Sequence, residues 1–367
     1  MAVAPGLSRL DAPGRIAGAD LARGLAVIGM LAAHLLVTDD AVDPTDASTW
    51  DGVVNGNSSI LFATLAGVSI GLLTGGRRPV AAPRRGILQG RLLVRAAALW
   101  IVGLALMLLG VPVYVILPAY AVMFALAVPL VGLTARPLWI LAGGLSAVMP
   151  FVHAFAASWP GWQTPLGGDV SLLIGWHYPF EVWIAFVVAG LALARSGLDR
   201  TPVLVAALLG GALVSGIAFA LDAATGARAS GAASGDDDGV RVWTAEPHSS
   251  GLLEVWGSGG LAVAIIAACV LLCRGDDGGG IVGRILLPLR AAGSMPLTAY
   301  ASQIVVWAIA AAALGAPGDL AGFREAQPFW PMTLGILAGC TLWALVLGRG
   351  PLERGIEGLA RVVVRPR

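Results

Sequence analysis

His34, His153, His177 and His248 are the four histidines of the chain, and each borders or closes an apolar stretch. An imidazole titrates near neutrality and can both take and give a proton. Several of them around one mouth would make a general acid–base site. In "GWHYPFEVW" His177 and Glu181 stand one helical turn apart. A carboxylate so placed fixes an imidazole's tautomer and raises its pKa. In "PHSSGLLEVWGSGG" Glu254 follows His248 and lies about one turn inside the next apolar segment, where an unpaired carboxylate is costly. Plainer roles stand beside these. An outer-end histidine is an ordinary interfacial hydrogen-bonder, and Glu181 suits a helix start with Pro179 in its first turn. Ser249 or Ser250 would cap the helix carrying Glu254.

Residues 18–36, "GADLARGLAVIGMLAAHLL", hold Asp20, Arg23 and His34 within an apolar run. On a helix these three and Thr38 fall within an arc of about 60°. Such a stripe cannot face lipid, so the spacing predicts that it faces a wet interior joining the two leaflets. Asp20 and Arg23 can neutralise each other across one turn. Alternatively Arg23, with Arg77 and Arg78 of "GGRRPV", presents guanidinium forks to the phosphates of a nucleotide-bearing donor. "NGNSSILFATLAGVSIGLLTGG" opens the second apolar segment with Asn57, Ser58 and Ser59, and its Gly67 and Ser69 permit close helix packing. Thr298, Tyr300, Ser302 and Gln303 lie on more than one face of "SMPLTAYASQIVVW" and either line a cavity or knit helices together. There is no HExxH, GxSxG or P-loop. His177 and Glu181 lack a convincing third metal ligand, so no metal is expected.

The elements that must position these groups are membrane helices. Of 367 residues 57% are hydrophobic and 12% charged, about half the charge of a soluble domain. Apolar stretches long enough to cross a bilayer recur at 20–38, 57–75, 91–110, 112–134, 138–157, 178–196, 202–221, 251–273, 291–314 and 329–348. The expected fold is an all-α integral membrane bundle of about ten such helices, since lipid offers no partners to open backbone groups. All 23 basic residues are arginine, and all but Arg228, Arg241 and Arg324 fall on one side of this topology. That side, with both termini, is assigned to the cytoplasm, which puts the four histidines and most acids at the outer helix ends.

Three regions follow: a cytoplasmic segment 1–19, a membrane domain 20–348 and a cytoplasmic tail 349–367. The tail places Leu352, Ile356, Leu359 and Val363 on one helical face with Arg354, Arg361 and Arg365 opposite, as a helix lying in the inner membrane surface would. Residues 222–250 read as a partly flexible Gly/Ala/Ser-rich outer loop. Cys269, Cys273 and Cys340 lie inside apolar segments as packing residues, and a net charge of +1 supports no nucleic-acid partner.

In order along the chain, "GADLARGLAVIGMLAAH", "WDGVVNGNSSILFATLAGVSIGLLTGG", "YPFEVWIAFVVAGLALAR", "PHSSGLLEVWGSGGLAV" and "GSMPLTAYASQIVVW" resemble the heparan-α-glucosaminide N-acetyltransferase-like transmembrane acyltransferases, particularly their bacterial YeiB-type relatives. The resemblance covers roughly residues 15–310. It implies a bundle that passes an acyl group from cytosolic acyl-CoA, acetyl-CoA in the first place, to an acceptor outside. It also implies a loop histidine just ahead of a Trp-Asn-Gly. Here that stretch reads "DASTWDG": Trp50 and Gly52 fit, Ala47 stands near the histidine's place, and His34 falls where the eukaryotic enzymes carry an asparagine.

The expected function is therefore acyl transfer to an envelope sugar or lipid-linked glycan at the cell membrane. His34 would be general base. Glu181 or Glu254 would orient His177 or His248 as the acid for the leaving thiolate. Arg23, Arg77 and Arg78 would meet the CoA phosphates, and Trp50, Asn57, Ser58, Tyr300 and Gln303 the acceptor. Membrane lipid is an expected partner, and a homodimer is compatible with this reading. The same outward histidines and intramembrane acids would also serve a proton-coupled transporter or flippase, and a non-catalytic membrane partner protein is the third alternative.

Overall fold

The computed structural model describes residues 14–38, 46–226, 242–274, 280–315 and 318–365, together with Leu10 and Val42. Most of the expected 222–250 loop and of the N-terminal segment lies outside the described residues. Among the described residues all regular structure is helical, and every predicted apolar segment is found as helix. In chain order the helices are α1 (Ala17–Leu35), α2 (Asn57–Leu73), α3 (Ala82–Met107), α4 (Leu117–Ala127), α5 (Ala135–Ala157), α6 (Pro165–Ile174), α7 (Phe180–Ser196), α8 (Thr201–Thr225) and α9 (Leu252–Leu272). They continue with α10 (Gly280–Ile285), α11 (Leu287–Ser294), α12 (Pro296–Ala313), α13 (Leu320–Glu325), α14 (Phe329–Val346) and α15 (Pro351–Val363). Among the described residues eight helices are long and apolar enough to cross a bilayer. The 17-residue α7 and the interrupted Leu117–Gly132 segment are the shorter members of the predicted set. The chain is a multi-pass all-α membrane protein.

Proline explains where the helices depart from the predicted segments, because it lacks an N–H and fits best in the first turn. The 112–134 segment becomes helical only at Leu117, beside Pro118, and tightens to a 3-10 turn at Val128–Gly132, beside Pro129. The 291–314 segment breaks at Met295, so that α12 starts afresh on Pro296. The 91–110 segment extends back to Ala82, where Pro83 occupies the first turn.

Glycines let three helix pairs touch backbone to backbone. Where α2 crosses α7, a Cβ added at Gly67 would lie 1.9 Å from the Val187 carbonyl oxygen, and one at Gly190 would lie 1.8 Å from that of Thr64. Where α1 lies on α11, an added Cβ would lie 2.0 Å from the Leu289 carbonyl oxygen at Gly24 and 1.7 Å from that of Asp20 at Gly293. Gly211 of α8 and Gly260 of α9 face one another's carbonyls in the same way. Lipid tails are as apolar as leucine, so close packing of this kind holds membrane helices together. One apolar core runs from α1 to α14. The outer helices α5 and α8 expose Ile140, Phe155, Leu209 and Leu213, as helices bordering lipid would.

The arginine-rich face is closed by two charged side chains. Arg195, buried near the end of α7, donates to the carbonyls of Gly71 (2.8 Å), Gly76 (2.6 Å), Thr74 (3.4 Å), Val131 (2.8 Å) and Leu133 (3.2 Å), and to the Thr74 hydroxyl. It ties the turn after α2 to the turn after α4. Glu353 of α15 accepts from the Leu297 and Thr298 backbone N–H groups, at 2.8 and 3.1 Å, and from the Thr298 hydroxyl at 2.5 Å. The tail helix is thereby docked on the start of α12. This divides the predicted apolar face. Leu352 and Ile356 are half-buried, whereas Leu359 and Val363 are exposed with Val362.

Gly190→Ala should lower stability by about 1–3 kcal/mol, the usual cost of overpacking. Gly216→Ala, whose added Cβ would have nothing within 4 Å, should not. Thermal unfolding of both variants in detergent measures the difference.

Candidate functional site

On the face opposite the arginine-rich one, several elements meet around a cavity of about 80 Å³. Its wall includes His34 from the last turn of α1, Asn55 from the end of the 3-10 helix Ala47–Val54, Ser58 and Ser59 from the start of α2, Tyr178, Tyr300 of α12, and His248 from the turn before α9. His34 and His248 thus share one chamber although more than half the chain separates them. The space is that of two or three waters, enough for a reacting group but not for a whole sugar. Around His34, the Arg324 guanidinium donates to its carbonyl at 2.9 Å and the Trp307 ring lies 6.2 Å from its own.

His248 is held from two directions. Its backbone N–H donates to Glu254 at 2.7 Å, and its ring Nε2 lies 3.1 Å from Asn55 Oδ1. The buried Glu254 carboxylate also accepts from the Ser250 N–H at 2.6 Å and the Ser249 hydroxyl at 3.2 Å. The turn it gathers carries φ values of 65° at His248 and 54° at Ser250, in the left-handed region that residues other than glycine seldom occupy. Glu254 therefore acts on the main chain of His248, not on an imidazole as expected. Nor do Ser249 and Ser250 cap α9. The N-cap is Gly251, whose N–H donates to the Ser249 hydroxyl at 3.1 Å, and Glu254 reaches back from the third helical position past it to the Ser250 and His248 amides.

Glu181 pairs with a different histidine from the one expected. His153 Nδ1 lies 2.7 Å from Glu181 Oε1, and Trp176 Nε1 donates to the same oxygen at 2.8 Å. His177 instead stacks on Tyr114, with ring centroids 3.6 Å apart, and burial pushes its pKa down rather than up. The cause is local. Helix α7 starts at Phe180 after an extended Pro179, so His177 precedes the helix and the one-turn geometry never forms. Neither His153 nor Glu181 borders the cavity of His34 and His248.

A second cavity, of about 130 Å³, lies deeper and is walled by Arg23, Ser69, Phe62, Tyr120, Tyr300 and apolar neighbours. Arg23 donates to Asp20 at 2.6 Å and to Ser69 at 3.0 Å, and Asp20 also takes Arg15 at 2.8 Å. The expected Asp20–Arg23 pair forms, with Arg15 as a third member. Tyr300 borders both cavities, and its hydroxyl accepts the Ile116 N–H at 3.3 Å. Among the described residues the polar edge of α1 therefore looks into two chambers parted at Tyr300, not into the single passage its stripe predicts.

The remaining expected residues divide between site and scaffold. Ser58 and Tyr300 line the outer cavity. Asn57 donates to the Val53 carbonyl and the buried Gln303 to that of Val27, each at 3.0 Å, so both tie segments together. Trp50 is exposed on the 3-10 helix, away from both cavities. Arg77 and Arg78 are exposed at the turn after α2, with Arg77 3.8 Å from Asp199. Asn55 and Tyr178 went unremarked in the sequence. Asn55 begins an Asn-Gly pair, a turn signal that would have drawn attention to it. No three His, Cys, Asp or Glu side chains among the described residues cluster as metal ligands would.

Comparison with known families matches residues 15–212 to the model described as "Heparan-alpha-glucosaminide N-acetyltransferase, catalytic" and residues 214–360 to "Protein of unknown function (DUF418)". No curated protein and no solved structure matches the chain. The outer cavity draws on both matched stretches: His34, Asn55 and Ser58 come from the first, His248 and Tyr300 from the second.

Glu254→Ala strands the His248 and Ser250 amides. It should cost about 1–3 kcal/mol for each donor left dry and lower the thermal midpoint in detergent, whereas an unchanged midpoint would show that water replaces the carboxylate.

Proposed function

Because the chain belongs to the heparan-alpha-glucosaminide N-acetyltransferase catalytic family, we propose that it transfers an acyl group, acetyl in the first place, from cytosolic acyl-CoA to a sugar or lipid-linked glycan outside the cytoplasmic membrane. The observation that carries this reading is the pairing of His34 with His248 in one cavity whose Tyr300 wall is shared with the cavity of Arg23. One chamber takes the acceptor's nucleophile, the other the thioester end of the donor.

In this mechanism His34 removes the proton from the acceptor hydroxyl or amine as its oxygen or nitrogen bonds to the thioester carbonyl carbon. The carbon–sulfur bond breaks, and the departing thiolate takes a proton from His248, which Asn55 and the Glu254-bound turn hold in place. Tyr300 stands where the thioester must pass, so its side chain moves for donor and acceptor to meet. Arg23 lines the donor chamber, and the exposed Arg77 and Arg78 are placed for the CoA phosphates. His177 and Glu181 have no part in this scheme, since neither borders the chamber.

A positioned base typically contributes about 10²–10⁴ in rate. His34→Ala should therefore lose that much label transfer from radiolabelled acetyl-CoA to an envelope extract while keeping its thermal midpoint. His153→Ala should stay within a few-fold of wild type. Undiminished transfer by purified His34→Ala would reject the base assignment. Proteoliposome uptake of an envelope precursor without transfer would favour transport, and absence of acetyl-CoA binding would favour a non-catalytic partner.

A further inference from the structure

Beyond this reaction, we infer that a pocket between α2, α3 and the tail helix α15 holds the phosphate of an anionic lipid headgroup. The pocket, of about 90 Å³, is lined by Arg91 and Arg95 of α3, Arg361 and Glu357 of α15, and Thr74 and Leu88. Three guanidinium groups face one carboxylate, so the lining carries a surplus of positive charge. That carboxylate is already engaged, because Glu357 takes both Arg349 and Arg361. These two arginines hold its pKa below the usual carboxylate range although burial pushes it upward.

Arg95 is the residue that needs a ligand. Arg91 donates to the Val364 carbonyl at 3.3 Å, but Arg95 makes no hydrogen bond or ion pair among the described residues. It stands one turn inside the 91–110 apolar segment, where a guanidinium must find a partner or reach up to the interface. The charges acting on it are Glu357, Arg349, Arg91 and Arg361, three of them of its own sign. An anion between these groups would accept from Arg95's unused fork and relieve the repulsion.

Size and setting name the anion. The space is about that of three waters, which suits a single phosphate and is too small to enclose a whole nucleotide. The lining itself includes Leu73, Leu88 and Leu92, and on other faces α15 exposes Leu359, Val362 and Val363 and α3 exposes Leu93, so acyl chains have apolar surface to meet. The pocket is separate from the Arg23 cavity, and its occupancy does not depend on the acyl-transfer reading.

Native mass spectrometry of the full-length protein tests this, with phosphatidylglycerol, phosphatidylcholine, coenzyme A and inorganic phosphate as probes. Wild type should retain phosphatidylglycerol over phosphatidylcholine. Arg95→Gln should weaken that retention about tenfold, the loss of a charged hydrogen bond. Arg361→Gln, on the exposed side of the tail where folding is not at risk, should weaken it in the same direction, and Arg136→Gln, an exposed arginine elsewhere, should leave it unchanged. Equal retention by wild type and both pocket variants, or an equal loss in Arg136→Gln, would overturn the inference. So would weakened coenzyme A or inorganic phosphate binding with phosphatidylglycerol unaffected, because the phosphate would then come from solution.

Discussion

Where a membrane chain turns, its amides and carbonyls lose their helical partners and cannot all reach water. In this protein charged side chains supply what the turns lack. Arg195 gathers five carbonyls at one face. Glu353 takes two amides at the start of α12, and Glu254 takes two before α9. Asp222 does likewise at the end of α8, accepting the Ala245 N–H at 2.8 Å. A buried charge of this kind is satisfied by several dipoles rather than by one counter-ion. The outer cavity inherits its shape from this arrangement, since the Glu254-bound turn presents His248 to Asn55.

Much of this architecture was legible in the residues. Apolar runs located the helices, because length and hydrophobicity alone dictate a membrane span. Prolines 83, 118, 129 and 296, read for their first-turn preference, would have refined the boundaries. The close approach at Gly67 was also legible, since a missing side chain at a helix crossing has one steric meaning. The pairing of acids with histidines was not. A one-turn spacing predicts contact only if both residues lie on the same helix, and Pro179 leaves His177 outside it. Glu181 then meets His153 from α5, a partner that helical periodicity within one segment cannot show.

Arg195 illustrates the same limit. By position it looked like one more arginine marking the cytoplasmic side, but its surroundings make it the tie between two turns. Asn55 owes its place against His248 to the packing of two distant stretches, which neither stretch encodes alone. The family boundary near residue 213 falls inside α8, and the chamber is assembled from both sides of it. The main apolar core, continuous from α1 to α14, accords with this shared construction.

The backbone of His248 carries a consequence for how this site could drift over many generations. Left-handed geometry costs a residue with a Cβ of the order of 1–3 kcal/mol, and His248 and Ser250 both adopt it within three residues. Glycine would occupy either position at no such penalty. At position 250 that exchange removes only a hydroxymethyl group, so selection for robustness alone would favour it. At 248 the same exchange deletes the imidazole, and the sturdier chain would be the one with an emptied chamber.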